Sequence, residues 1–415
     1  MPDNMAVLWA AGLRKTILLL LLLFSFSYAG ILQQNIDKAA PGSTLTLSAG
    51  IYPGNIVIDK PLSIVAKESG VIIQGDHTGK VVTINSSDVV LKNLTISGSG
   101  SRMENLDSAI TINKAKRCII SGCKITDCLY GIDMVMVNDS AITDNYITSN
   151  TNDISLRGDA LKIWYSNNNI IENNIIDSSR DVTLTRSNDN IIKENSFRNN
   201  RFALHISLSR GNTVKDNVYR YNSVAIMLMG ARDTNITENI IESSRGAAGI
   251  GVVLAGTKNI VFQNNRVRFN AKGIFIETKF SEEHMQRYIV GNEISYNAEG
   301  IHFHAAIQNN TIKNNRFFGN IDDIVKNSRK NVTEKNVIEY NYWDRYAGFD
   351  SNRDNIGDTA HKILQYSDRL WQYNNKVKFF YASPIMSLLD FLASIAPFVE
   401  PVLVIEDIKP VFKNY

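Results

Sequence analysis

Proline is almost missing from the middle of this 415-residue chain. All eight prolines lie at or before Pro61 or at or after Pro384, and the 322 positions between hold none. A run of strands there never loses a backbone donor to a pyrrolidine ring. Cysteine is scarce too. Cys118, Cys123 and Cys128 are odd in number and confined to eleven residues. That excludes the scattered, even set of a disulfide scaffold. Neither sign of charge dominates: 44 Lys plus Arg against 41 Asp plus Glu leave a net charge of +3. A nucleic-acid-binding protein needs a larger basic footprint, so no such partner is expected. Beyond the N-terminus, no apolar run reaches the roughly 18 residues of a membrane-spanning helix.

What the chain does have is asparagine, 46 residues of it, and a normal 44% of hydrophobic residues. The N-terminus reads as an export signal. Arg14 and Lys15 precede the apolar run Ile17 to Phe24, and Ser27-Tyr28-Ala29 places small residues for cleavage after Ala29. Residues 1–29 are therefore expected to be removed, leaving an exported protein.

A unit of about 22 residues then repeats, roughly Gly-Ile-x-Leu, a polar stretch, Asn-x-Ile, a second polar stretch and Asn-x-Ile again. The last Asn of each copy falls at Asn145, Asn174, Asn195, Asn217, Asn239, Asn265, Asn292 and Asn315. A period of 20 to 30 residues with β-branched alternation predicts a β-solenoid. The expected fold is all-β, a right-handed parallel β-helix of ten to twelve coils over residues 30–343. Strands of 3–5 residues are too short to stand alone, and stacking pairs each with the coils above and below. Asn at one corner is expected to adopt the left-handed conformation and to bond to the next Asn as a ladder. Cys123 and Cys128 fall at Asn positions, so inward packing is the simpler reading than a metal loop.

In each Gly-Ile-x-Leu strand the residue between Ile and Leu points outward. Aligning the coils gives a first outward column of Asp133, Lys162, Thr183, His205, Met227, Gly251, Phe275 and His302. Two residues on, a second column reads Val135, Trp164, Thr185, Ser207, Met229, Val253, Glu277 and His304. His205, Met227 and Met229 form an imidazole–thioether set suited to Cu(I). His302, His304 and Glu277 form a harder set suited to Cu(II) or Zn(II). His284-Met285 lies in an insertion, 277–287, that reads as a lip. The loop Asp350, Asn352, Asp354, Asp358 spaces oxygen donors as a calcium loop does, with Asn355 for the usual Gly and His361 where the bidentate Glu belongs. Residues 344–378 are expected to form an acidic loop and connector. Residues 379–415 are expected to form an apolar helix and extended segment that docks a partner, or else caps the rod.

Together, the leader, the coils, Asn341-Tyr-Trp-Asp with the loop to Asp358, and Phe379-Phe-Tyr-Ala-Ser-Pro384 followed by Leu388-Leu-Asp-Phe-Leu392 and Pro397 resemble the NosD family. These are periplasmic copper-binding accessory proteins of nitrous-oxide reductase maturation. The family's coil matching Arg201-Phe-Ala-Leu-His205 reads like Arg-Tyr-Gly-Ile-His-Tyr-Met, and its next coil carries a Met matching Met229. Ser207 stands where the family has Met, and Met227, opposite His205, is positioned to substitute. The resemblance implies a periplasmic, non-enzymatic protein that carries copper, and an ABC-type transporter membrane subunit through which it associates peripherally with the membrane. It also implies nitrous-oxide reductase and a copper chaperone as partners, and help in building the reductase's copper–sulfide centre. The competing class is a β-helix polysaccharide lyase, hydrolase or epimerase. Such an enzyme needs clustered carboxylates, in which the two columns are poor.

Overall fold

The computed structural model describes residues 30–365, 380, 383–395 and 402–413, except 152, 247, 278–284, 305 and 328–334. The leader, His284 and the chain from 366 to 379 lie outside the described residues. Three long parallel sheets dominate, of 13, 13 and 12 strands, here called A, B and C in chain order. Each strand pairs with the strand three places on. The first strand is Thr44–Leu47 and the last Tyr342–Trp343, so the repeat runs over nearly the length expected. Leu62–Ala66 shows the local rule: Leu62, Ile64 and Ala66 are buried and the residues between them are not. Ile, Val and Leu of all three sheets fill one continuous core. Cys118, Cys123 and Cys128 are buried in it as free thiols. Burial pushes Cys123 and Cys128 up to about 11, so they stay protonated and are poor metal ligands.

The corner from sheet A to sheet B explains the asparagine. From Asn93 to Asn341 every such corner has two residues, and in most coils the second is the ladder Asn. Asn195 donates through its backbone N–H (2.9 Å) and its side-chain amide (3.0 Å) to Asn217 Oδ1. Asn217 does the same to Asn239, at 3.0 Å each. The ladder runs from the Cys123 N–H, which donates to Asn145, through to Asn341. The left-handed conformation falls one residue earlier than expected. Asn173, Glu194, Asp216, Glu238 and Asn264 have φ near +55°, and each precedes a ladder Asn. Turning the chain at that residue frees the next to aim its amide down the axis. A second ladder, Asn169 to Asn190 to Asn212, lines the corner from C to A.

Both ends are covered. A helix not foreseen from the sequence, α1 (Ile31–Lys38), buries Leu32 and Ile36 at the N-terminal end. Its Gln33 Oε1 accepts from the Val57 N–H at 2.8 Å. At the other end, strand Val402–Asp407 pairs antiparallel with His361–Gln365. Asp407 Oδ2 accepts from the Asn341 N–H (3.1 Å), the Asn341 amide (2.9 Å) and Trp343 Nε1 (3.0 Å). An aspartate thus stands where the next Asn of the ladder would be. Residues 402–413 therefore cover the C-terminal end of the rod, in line with the capping alternative for this segment. Helix α2 (Pro384–Ile395) differs: Ile385, Leu388, Leu389, Phe391, Leu392 and Ile395 are all exposed.

The long excursions border sheet C. Residues 98–107, 150–160 and 243–249 precede its strands; 278–286, 304–309 and 327–336 follow them.

Candidate metal centre

Sheet C carries both outward columns. Its registers place His205 opposite Met227 and Ser207 opposite Met229. The next strand corrects the alignment. Met227 faces Val253 and Met229 faces Ala255, not Gly251 and Val253. Gly251-Val252, rather than Gly249-Ile250, is the equivalent strand start, because Ile226 pairs with Val252. Beyond them the columns continue as Phe275 then His302, and as Glu277. Small aliphatic side chains therefore bound the soft cluster on its C-terminal side.

His205 is partly buried, and its Nε2 has no hydrogen-bond partner among the described residues. Burial holds its pKa below the ordinary histidine value, so the ring is neutral and keeps a nitrogen lone pair. The edge of Phe202 meets the imidazole with ring centroids 5.8 Å apart. The Arg201 guanidinium lies 4.5 Å from the centre of the Phe202 ring. Asp181 holds Arg201 through Nε at 3.0 Å and accepts the Phe202 N–H at 3.0 Å. The Asp181 carboxylate, whose charge acts on His205, is thus engaged by a cation and an amide. Met227 is partly buried and Met229 is 42% exposed. One uncharged nitrogen and two thioethers on adjacent coils form a soft donor set.

The harder set is arranged otherwise than the columns suggest. His302 lies in the outward column, yet it is buried, and Glu299 rather than Glu277 meets its Nδ1. His304 and Glu277 are exposed. Among the described residues no three His, Cys, Asp or Glu side chains gather as a metal site requires, so the trio of His302, His304 and Glu277 is not assembled. The loop from Asp350 commits one oxygen of each donor residue to a loop N–H, while Asp350 Oδ1 is buried with no hydrogen-bond partner among the described residues. Asp350 Oδ2 accepts from the Asn355 N–H (3.0 Å), Asn352 Oδ1 from Asp354 (3.1 Å), Asp354 Oδ1 from Ile356 (2.8 Å) and Asp358 Oδ2 from Ser351 (2.8 Å). Asn355 takes the left-handed conformation, with φ +66°.

The columns also missed charged groups. Lys272, Glu299 and Asp322 pair in register three residues ahead of Phe275, His302 and Val325. A strict two-residue alternation does not reach them. On the N-terminal side, Lys162 Nζ meets Asp133 at 3.3 Å, and Thr183 Oγ1 donates to Asp159 at 3.2 Å. Burial, then the nearby Asp181, pushes Asp159 up to about 7. The sheet is less poor in carboxylates than the sequence suggested.

Comparison with known proteins places this geometry. In fold, the chain is similar to the A-module of the mannuronan C-5 epimerase AlgE4 of Azotobacter vinelandii. The TM-score is 0.57 at 17% identity, over 74% of this chain and 94% of that one. It is also similar to a tailspike mutant of the E. coli bacteriophage HK620, at TM-score 0.53 and 12% identity, over 69% of this chain and 62% of that one. Such identities speak to the β-solenoid alone. In sequence, the chain is 29% identical to the probable ABC transporter binding protein NosD of Pseudomonas aeruginosa, over 94% of this chain and 93% of that one. The protein of the same description from Stutzerimonas stutzeri is 26% identical, over 85% and 83%. The family model described as periplasmic copper-binding protein (NosD) matches residues 144–348, a span that contains the His205–Met229 cluster, and the chain is similar to the NosD family over most of its length.

Proposed function

We propose that this protein binds Cu(I) through His205, Met227 and Met229. In this reading it works with an ABC-type transporter as an accessory protein in assembling the copper–sulfide centre of nitrous-oxide reductase. The carrying observation is the His205 Nε2, buried without a partner and opposite a thioether on the next coil. An imidazole held neutral between aromatic and thioether neighbours suits a soft monovalent ion. Copper here is cargo. A partly exposed cluster on an outer face lets a partner approach and take the ion, which a closed core site does not. The names of the relatives support association with a transporter, and the description of the matching family model supports a periplasmic setting.

Anaerobic Cu(I) titration against a competing chelator tests this. The Met227→Leu/Met229→Leu double variant should keep its fold, because both side chains lie outside the core. It should lose at least tenfold in Cu(I) affinity. Unchanged affinity removes the assignment.

A second reading, action on a glycan, has its own observation. Asp133, Asp159, Lys162 and Asp181 gather on neighbouring coils of sheet C, with Trp164 exposed on the same strand as Lys162. A carboxyl raised as Asp159 is, near an aspartate paired with a lysine, suits acid–base work. Turnover of oligosaccharides by the wild type, abolished by Asp159→Asn, would establish that reading. Absence of turnover leaves the copper reading as the function.

A further inference from the structure

His302 sits in surroundings that the soft cluster does not explain. It lies four strand steps from His205 in the same column, beyond Met227, Val253 and Phe275. The residue is only 3% exposed. Glu299 meets its Nδ1, and Lys272 Nζ lies 2.6 Å from that carboxylate and 3.2 Å from Nδ1. An ammonium has only hydrogens to offer, so Lys272 neutralises Glu299 without competing for the ring proton. With Nδ1–H donated to Glu299, the lone pair falls on Nε2. That atom is buried and has no hydrogen-bond partner among the described residues.

A carboxylate that fixes the far nitrogen of an imidazole is the arrangement by which proteins orient a metal-binding histidine. A second donor stands close by. His304 is on the same strand, and side chains two residues apart on a strand share a face. The Phe275 ring lies 5.1 Å from the His302 ring and 5.7 Å from the His304 ring, so one aromatic side chain borders both imidazoles.

We propose that His302 and His304 form a second metal site, for Cu(II) or Zn(II), with Glu299 as the positioning residue that leaves His302 Nε2 free to ligate. Two imidazoles without a thioether favour borderline divalent ions over Cu(I). Glu299 remains on the far side of the ring as an orienting group. The remaining positions on the metal stay open to water or to a partner's ligand. The proposal does not rest on the soft cluster.

The test uses the full exported chain. Cu(II) alone, then Zn(II) alone, is titrated by calorimetry, and the Cu(II) form is examined by electron paramagnetic resonance. The wild type should bind Cu(II) with imidazole nitrogen hyperfine coupling. His304→Ala changes an exposed side chain, so its fold is safe; it should weaken Cu(II) and Zn(II) binding at least tenfold and alter the nitrogen coupling. His302→Phe keeps the packing on Phe275 and should do the same. Glu299→Gln should weaken binding by about 10-fold or more while both imidazoles remain ligands. Met227→Leu/Met229→Leu should leave Cu(II) binding unchanged, which separates this site from the Cu(I) cluster. Cu(II) affinity and spectrum unchanged in His304→Ala would overturn the site, and so would Cu(II) binding lost with the methionines instead. Unchanged affinity in Glu299→Gln would overturn the positioning role.

Discussion

Tyr219 occupies a phenylalanine's place. It points into the core, stacked on Phe197 with ring centroids 4.8 Å apart, and its hydroxyl is buried without a partner among the described residues. Leaving a buried hydroxyl unpaired costs about 1–3 kcal/mol. Tyr219→Phe keeps the stack and removes the orphan group, so it should raise unfolding free energy by about 1 kcal/mol in a denaturant titration. Asp159 carries a pH-dependent counterpart. Its carboxyl titrates at about 7 in the folded chain, against about 3.9 when unfolded. The folded state therefore binds the proton more tightly, and stability contributed by this group is present at low pH. It is lost as pH rises from about 4 to about 7, with a slope of up to about 1.4 kcal/mol per pH unit. Comparing Asp159→Asn with wild type across that window should show the wild type losing stability relative to the variant as pH rises; parallel curves would reject the assignment. The sequence shows Asp159 just ahead of a strand but not its proximity to Asp181. That proximity arises only when adjacent coils stack.

At the scale of elements, the strands were legible because the period of two is written in Ile, Val and Leu, and the corners because Asn recurs. The residue that turns each corner was not. Asn, Asp and Glu all take the left-handed position ahead of the ladder, so composition does not mark it. The residue that ends the ladder was hidden for a similar reason. Asp407 replaces an Asn of the ladder from 66 residues away, and no local pattern announces that. The cap and helix α2 make separable predictions. Asp407→Ala leaves the Asn341 amide and the Trp343 indole N–H without their acceptor. It should lower the melting temperature and speed hydrogen exchange first in Val337–Trp343, with the middle coils following later. Changing Leu388, Leu389 and Leu392 of α2 to serine should leave melting unchanged, because these side chains are exposed. It should abolish co-purification with the transporter. A drop in melting temperature from the α2 variant would instead make that helix part of the cap.

Across the whole molecule, the repeat brings chemistry together from residues about 22 apart. Sheet register carries His205 onto Met227, and every later coil inherits any error in alignment. One strand, Ile250–Ala255, was misplaced by two residues because its glycine stands at a different point of the coil. The contact of Glu299 with His302 was not foreseen, because Glu299 lies three residues ahead rather than two. Thus the register that sets His205 opposite Met227 was readable from the sequence, while the buried surroundings of His302 needed the fold. The direct test of the copper assignment is copper K-edge X-ray absorption on the Cu(I)-loaded chain. The wild type should show thioether sulfur and imidazole nitrogen scattering together. The Met227→Leu/Met229→Leu variant should lose the sulfur shell. A first shell of nitrogen and oxygen alone in the wild type, or sulfur scattering that survives in the variant, would contradict the account.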